Sequence, residues 1–409
     1  MELRRWPRKN DPDSIRARQD EIRPLTQDGE VFAHDLEPFA RANEALTGVA
    51  VIPVSVIGPV EISLGEYELE EPMGRLVETG RSDDRVYVPL AHTEGGLSAS
   101  LYRGARAAAE SGRFRTFVLR DRITRASCFV CGSTEEAVTL SRFLEAHVAE
   151  MRRWLAERVE VDETLSRYAK LREVETHVVG PMCHVLWAFT TGDACGPNMM
   201  TRNSYALNMG YVMEHAPVKP ERAVLEANMG GDKKPSHRYF ERGGHGKTVI
   251  AEAQLTDEAV RRVLRTTVDD LLELSWVGTH GAVASGMQSV AFTPASAIAA
   301  IFAATGQDLG MIGTSSMAHG TGRRAADGGI RCSIRLPGLE IGTVGGGTTL
   351  PYARSWLELM GCAGTGKVYR FAQIVSAATL ALEISASAAM ATAGSREFFK
   401  AHHERGGLR

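Results

Sequence analysis

STEEAVTLSRFLEAHVAEMRRWLAERV, residues 133–159, carries the clearest helical signature in the chain. Ser133 with Glu136 makes a capping-box pattern. Val138, Phe143, Leu144, Val148, Met151 and Leu155 then recur at the spacing of one helical face, so the whole stretch is expected to be one helix. Working outward, an apolar strand precedes it from about Ser127, and short strands are expected at 177–179 and 185–190. A second helix is expected from about Asn198 to His215. The resulting order between about Ser127 and Leu225, strand–helix–strand–strand–helix–strand, fits a split βαβ, ferredoxin-like unit.

Upstream, the first 45 or so residues are highly charged and read as a helical arm. Residues 48–91 are strand-like, with the apolar, β-branched run VAVIPVSV at 49–56; residues 66–84 are polar and turn-rich, expected as a surface excursion. Downstream, 247–255 reads as a strand and 257–274 as an amphipathic helix. A buried Ala-rich helix follows, with Thr305-Gly306 as its C-cap. Residues 330–336 read as a strand, 370 to about 392 as a helix apolar on nearly all faces, and 394–409 as a polar tail containing His402 and His403.

With 409 residues the chain has material for two or three folding units, because single cores stop growing at roughly 250–300 residues. A hydrophobic share of 44% and a charged share of 24% are ordinary for a globular enzyme. The net charge of −3 supplies no global field for nucleic acid or an anionic membrane, so neither is expected as a partner. The opening MELRRWPRKNDPDS has no apolar run of the kind a secretory signal needs. No apolar stretch is expected to reach the ~18–20 residues that cross a bilayer; the nearest is 295–304, and the expected location is the cytoplasm. Six cysteines do not make a disulfide scaffold. Cys128 and Cys131 form one CxxC with no second pair, read as two reduced thiols, and no metal is expected.

Five short segments hold the chemistry. In His92-Thr93-Glu94-Gly95-Gly96, Glu94 stands at a strand-to-helix junction. It is either a half-buried proton donor with a raised pKa or an acid complementing a helix dipole. Asp193-Ala194-Cys195-Gly196-Pro197-Asn198 opens a helix whose free N–H groups suit a ligand phosphate. Gly230-Gly231-Asp232-Lys233-Lys234-Pro235 is either a solvated charge run or a loop that sets one ammonium on a developing oxyanion. In Gly306-Gln307-Asp308, the acid follows a helix C-terminus and calls for a cationic partner. Gly342 to Thr348 contains three consecutive glycines that let backbone approach a ligand closely; it lacks the GxGxxG spacing of a Rossmann turn. Gly361 to Lys367 matches GxxxxGK, but position 368 is Val where a P-loop needs a hydroxyl for Mg²⁺, so triphosphate binding is not expected.

Taken in this order, HTEGG, GDACGPNM, GDKKP, TGQD and EIGTVGGGT resemble the signatures of the 3-hydroxy-3-methylglutaryl-CoA (HMG-CoA) reductase family, nearer its NADPH-using class I form. NEALTGVAVIPVSVIGP (43–59) resembles the stretch leading into that family's large domain and DRITR (121–125) the start of its small one; the resemblance spans roughly residues 43–403. It implies an α+β fold in which a large α/β substrate domain (48–126 and 223–394) carries an inserted ferredoxin-like NADP-binding domain (127–222), with a helical arm at 1–47 and a C-terminal flap at 395–409. It also implies the four-electron reduction of HMG-CoA to mevalonate and free CoA in isoprenoid biosynthesis, with two hydrides from NADPH. On that resemblance Lys233 stabilises the carbonyl oxyanion, Glu94 donates a proton at the aldehyde stage, Asp308 tunes both, and His402, or its neighbour His403, protonates the CoA thiolate. Ser166, Arg167, Tyr168, Asp193, Gly196, Asn198, Val344 and Gly345 match cofactor positions, Arg167 facing the 2′-phosphate. Arg103, Arg125, Asp232 and Lys234 match substrate positions. A homo-oligomer, dimer or tetramer, with active sites shared between subunits is implied.

Three positions depart from the family pattern. The lysine that holds the free carboxylate of the HMG group falls near 274–276, which reads Leu-Ser-Trp; Ser296 stands for an asparagine, and Glu226 for a serine. An unpaired carboxylate in a pocket without its cation costs several kcal/mol, about the penalty for any uncompensated charge. A second reading therefore stays open, the reduction of another acyl-CoA or a carrier-protein thioester. A third, a non-catalytic CoA-binding homologue, predicts a broken catalytic set, whereas Glu94, Lys233, Asp308 and a tail histidine are all present.

Overall fold

The computed structural model describes residues 9–25, 32–243 and 245–404, with side chains as far as 400. After a short helix α1 (Pro12–Ile22), the chain builds a long antiparallel hairpin from β1 (Val54–Glu70) and β2 (Arg75–Ala91), in register from Val54 opposite Ala91 to Glu70 opposite Arg75. The expected surface excursion at 66–84 is therefore the far half of this hairpin, turning at 71–74. Its residues read as loop because charged side chains dominate the distal ribbon, where on β1 Tyr67 and Leu69 are half-buried between the exposed Glu66, Glu68 and Glu70. Residues 49–53, read as strand, are irregular; Val51 and Ile52 stay exposed.

Helix α2 (Leu97–Ser111) leads to β3 (Phe114–Val130), the strand that organises the molecule. Its first part pairs with β7 (His245–Leu255), from Arg115 opposite Glu252 to Ile123 opposite His245. Its second part, from Ile123 onward, pairs with β5 (Met182–Thr190) and, near its end, with β6 (Arg222–Val224). Between these come α3 (Thr134–Ala146), α4 (Val148–Val161), β4 (Lys170–Val179) beside β5, and α5 (Pro197–Ala206), which runs on through a π-helical turn, Leu207–Val212, to His215. The local order β6-β3-β5-β4, with every pairing antiparallel, is the ferredoxin-like arrangement read from the sequence. The stretch 133–159 is broken once, at His147 (φ −105°, ψ 17°), so it forms two helices rather than one. Ser133 accepts from the Glu136 N–H as expected, while the Glu136 carboxylate reaches back to Gly132 N.

The larger sheet runs β2-β1-β3-β7-β9-β8, with β9 at Ile330–Leu339 and β8 at His319–Arg324. Around it lie α6 (His237–Arg242), α7 (Val268–Ala284), α8 (Pro294–Thr305), α9 (Pro351–Leu359) and α10 (Val368–Ala391). The expected helix 257–274 is interrupted at Arg265 (φ 60°), and α7 starts afresh with a capping box between Thr267 and Asp270. Two hydrophobic cores result. One lies among β1, β2, α2, β7, β9, α8 and α10; the other lies among the second half of β3, α3, α4, β5 and α5.

Contrary to the sequence expectation, α10 is long and apolar enough to cross a membrane by length and composition, but 78% of its most apolar window is buried inside the fold. Its few polar side chains are satisfied there. Gln373 exchanges hydrogen bonds with both backbone groups of Gly65, and Glu383 accepts from Phe292 N and Thr293 N at the start of α8. The tail forms α11 (Arg396–Glu404), which includes the backbone of His402 and His403; their side chains and residues 405–409 lie outside the described residues.

Candidate active site

The point where β3 passes from one sheet to the other is where functional side chains gather. Arg125 lies just beyond the shared residue Ile123, and the segment returning from β6 folds across it. Ala227 N donates to Ala126 O at 2.7 Å and the Thr124 hydroxyl to Gly230 O at 3.4 Å. That return positions the Asp232-Lys233 loop. Arg125 donates to Asp232 at 3.2 Å and to Glu226, so its charge is matched by two carboxylates. Lys233 adopts a left-handed backbone (φ 57°), uncommon for a residue with a side chain and typical of a site that stores strain.

Asp308 meets this loop from the other side. Helix α8 ends on Gly306 in the left-handed conformation, and Asp308 then caps the next short turn, its Oδ1 accepting from Gly310 N at 2.9 Å. Its Oδ2 lies 3.0 Å from Lys233 Nζ, the cationic partner that a carboxylate beyond a helix C-terminus calls for. The bond to Asp308 holds the Lys233 pKa above the ordinary lysine value.

Beneath the pair is a buried network absent from the sequence reading. His245 Nδ1 faces Glu340 at 3.0 Å and Nε2 faces the Thr124 carbonyl at 2.7 Å. The Thr124 carbonyl only accepts, and Glu340 only accepts when ionised, a setting that favours the imidazolium with both ring nitrogens donating. Burial opposes that charge, while the Glu340 carboxylate and its hydrogen bond oppose the burial and prevail, moving the pKa up. The Thr314 hydroxyl also donates to Glu340, while the Tyr239 hydroxyl lies 3.4 Å from it and closer, at 2.5 Å, to the Gly338 carbonyl. Asp232, His245 and Glu340 lie close enough to bracket a metal ion, but an imidazole donating from both nitrogens has no lone pair to coordinate with. The visible signal for this network was a titratable side chain opening or closing a strand-like run, His245 before 247–255 and Glu340 in EIGTVGGGT.

A cleft of about 1160 Å³ opens over the ion pair, lined by Arg125, Asp232, Lys233 and Asp308 on one side and by Gly196, Asn198, Val344 and Gly345 on the other. Arg202 of α5 and the exposed segment around Val51 complete its rim. The turn opening α5 is fastened to the glycine turn, with Thr343 N donating to Asp193 O at 2.8 Å. The Asp193 carboxylate accepts from Gly366 N, Lys367 N and Val368 N at 2.8, 2.9 and 3.0 Å. It therefore caps α10 by binding N–H groups at the end of the P-loop-like sequence, and its oxygens are spent on protein rather than facing the cleft. Cys195, whose thiol pKa burial pushes up to about 12, lies in the cleft wall.

Other sequence candidates lie apart from this cleft lining. Glu94 stands exposed in the turn after β2. Arg103 of α2 is tied to Ser385 of α10 through both its hydroxyl and its carbonyl. Lys234 folds onto the Asp232 carbonyl at 3.1 Å. Ser166, Arg167 and Tyr168 lie in the loop between α4 and β4, where Ser166 is buried, Tyr168 is exposed and Arg167 approaches Glu160 at 3.7 Å. Cys128 and Cys131 are buried free thiols with pKa values raised by burial. Trp276, where the carboxylate-binding lysine was sought, is exposed on α7 with its ring 5.1 Å from that of His280.

A model of the family described as hydroxymethylglutaryl-coenzyme A reductase matches residues 16–406. The chain is 35% identical over 383 residues to a 3-hydroxy-3-methylglutaryl-coenzyme A reductase of Aeropyrum pernix, covering 91% of this chain and 84% of that one. It is 36% identical over 363 residues to the protein of the same name from Pyrococcus horikoshii, covering 87% and 82%. Among solved structures, the class II 3-hydroxy-3-methylglutaryl-CoA reductase of Streptococcus pneumoniae, bound to NADPH in open conformations, superposes with a TM-score of 0.65 at 15% identity, covering 92% of this chain and 96% of that chain.

Proposed function

The chain belongs to the hydroxymethylglutaryl-coenzyme A reductase family, and from that premise we propose that it reduces HMG-CoA to mevalonate and free CoA, using two NADPH and two protons per thioester. The observation that carries the reading is the Lys233–Asp308 pair, 3.0 Å apart on the wall of a cleft of about 1160 Å³. The chain's own residues fit a dinucleotide. A Cβ added to Gly345 or Gly346 would meet only open space, so bare backbone borders the cleft opposite the N-terminal turn of α5. Each NADPH, when bound, would supply one hydride, so two are used in turn.

Each reduction puts negative charge on the former carbonyl oxygen. The Lys233 ammonium, oriented by Asp308, is the donor for that oxygen, and a fixed donor in a partly enclosed site costs no reorganisation at the moment of reaction. Glu94 is the proton donor at the aldehyde stage, and His402, with His403 as the alternative, protonates the departing CoA thiolate. Asp232, Arg125, Arg103 and Lys234 surround the acyl-CoA; Ser166, Arg167, Tyr168, Gly196, Asn198, Val344 and Gly345 surround the cofactor, with Asp193 holding their turn in place. The second core (127–222) serves as the NADP-binding domain, inserted in a substrate domain made of 48–126 and 223–394, with 1–47 as arm and 395–409 as flap. The enzyme works in the cytoplasm as a homo-oligomer, supported by exposed apolar side chains such as Val51 and Ile52 on the cleft rim.

Reduction of a different acyl-CoA or carrier-protein thioester is favoured by one observation. Arg125 already carries two carboxylates and so brings no unmatched charge to an acid end of the substrate. NADPH oxidation with HMG-CoA and a panel of acyl-CoAs separates the two readings. Turnover of HMG-CoA with two NADPH per thioester establishes the first. Silence with HMG-CoA and turnover of another thioester establishes the second. In either case Lys233→Ala should abolish turnover and leave NADPH affinity nearly unchanged; an active variant would remove the role given to Lys233.

A further inference from the structure

We propose that Arg202 selects NADPH over NADH by pairing its guanidinium with the 2′-phosphate of the adenosine ribose, an inference that rests on the NADPH reading above. Among the described residues lining the cleft, the permanent cations are Arg125, Lys233 and Arg202. The first two are held by carboxylates, Arg125 by Glu226 and Asp232, Lys233 by Asp308. Arg202 donates only to backbone carbonyls, Asn198 O at 3.4 Å and Thr164 O at 3.1 Å. A guanidinium has five N–H donors, so this leaves both charge and donors for a ligand.

Its position joins the two cofactor segments. Arg202 is one helical turn after Asn198, on the face of α5 that lines the cleft, and its bond to Thr164 reaches the loop that continues into Ser166, Arg167 and Tyr168. The neighbouring Asn203 locks that loop to the helix. It accepts from Ser166 N and donates to Ser166 O and Ala169 O, each at 2.9 Å, and is fully buried. Loop and helix are thus one rigid wall, and Arg202 stands on the seam where a ribose would cross between them. Arg167 already has an anionic neighbour in Glu160, which would also repel a phosphate. Planar, bidentate recognition of a phosphate is a task to which arginine is suited.

The test uses the full chain and two probes, 2′,5′-ADP and 5′-ADP, with affinities measured by calorimetry. Arg202→Gln should weaken 2′,5′-ADP by about 10-fold or more while leaving 5′-ADP within about twofold, with Arg202→Lys in between, as the loss of a charge-assisted bidentate contact predicts. Arg167→Gln should have the smaller effect. In turnover, KM for NADPH should rise and KM for NADH stay level. If Arg202→Gln binds 2′,5′-ADP as tightly as the parent chain, or loses both probes equally, Arg202 is not the selector. If the parent chain itself does not distinguish the two probes, the NADPH reading falls first, and this inference with it. Since the side chain is exposed, an unchanged thermal midpoint checks that the fold is intact.

Discussion

Lys233 and Asp308 make one chemical unit out of two loops 75 positions apart, and each half explains the other's conformation. The lysine's raised pKa has a definite consequence for pH dependence. A cation with a folded pKa above its unfolded value gains stability from its partner at all pH values below the unfolded pKa, and loses it as pH climbs through the folded one. Lys233 should therefore remain an ammonium through the neutral and mildly alkaline range, losing its proton only above the ordinary lysine value. Asp308→Asn removes the carboxylate that holds the proton most strongly, and the deprotonation should move to lower pH. The measurement is the rate at which Lys233 is trinitrophenylated as a function of pH, read by mass spectrometry; only the free amine reacts, and no turnover is needed. Superimposable profiles for parent and variant would mean the carboxylate does not hold the proton. The two loops were legible because each breaks a local rule, adjacent lysines beside an acid in one and an acid past a helix C-terminus in the other. His245 and Glu340 left a signal too, a titratable side chain at the end of a strand-like run, but they pair across 95 positions, and only the β7–β9 ladder reveals that they are partners.

At the scale of elements, the tightest constraint is the crossing of α2 on α10. A Cβ on Gly104 would lie 1.8 Å from Ala381 O, so the helices touch backbone to backbone. Gly104→Ala must part them and should lower stability by about 3 kcal/mol, the upper part of the usual overpacking range, seen as a lower urea midpoint. A change under about 0.5 kcal/mol would mean that the crossing has slack. Activity should fall as well, because α2 follows the Glu94 turn and α10 starts on the Asp193 cap. Element types were readable where burial marks the sequence, as a helical period in α3 and as a long, mainly apolar run in α10. They were misread where it does not. The outer half of the β1–β2 hairpin has only a half-buried inner face, carried on β1 by Tyr67 and Leu69 among charged neighbours, and the breaks at His147 and Arg265 occur without glycine or proline to announce them. Apolarity on all sides of α10 is the mark of a central core helix, and composition alone does not separate that from a membrane span.

The whole molecule raises a question that no single element answers, because Glu94 is exposed and lies outside the cleft lining that holds Lys233 and Asp308. A proton donor must come within hydrogen-bond reach of the reacting oxygen, so a lone chain with this geometry lacks one of its assigned groups. Apolar side chains left exposed on the cleft rim, Val51 and Ile52 among them, supply a surface that a second copy can cover. The two facts have one resolution if Glu94 of one subunit completes the cleft of another. Glu94→Gln and Lys233→Ala should then each be inactive alone yet active when mixed. In a two-fold dimer the hybrid has one site with both lesions and one with neither. Random assortment puts half the dimers in the hybrid class, so equal mixing after dissociation and reassembly should restore about a quarter of the parent rate. If both groups serve the same chain's site, every site in the mixture carries a lesion and the rate stays at zero. Recovery with separately tagged chains, co-purified on both tags, would place the active hybrid in a single assembly. Absence of recovery in demonstrably mixed assemblies would return Glu94 to its own chain and require the 92–96 turn to move toward Lys233 when substrate binds.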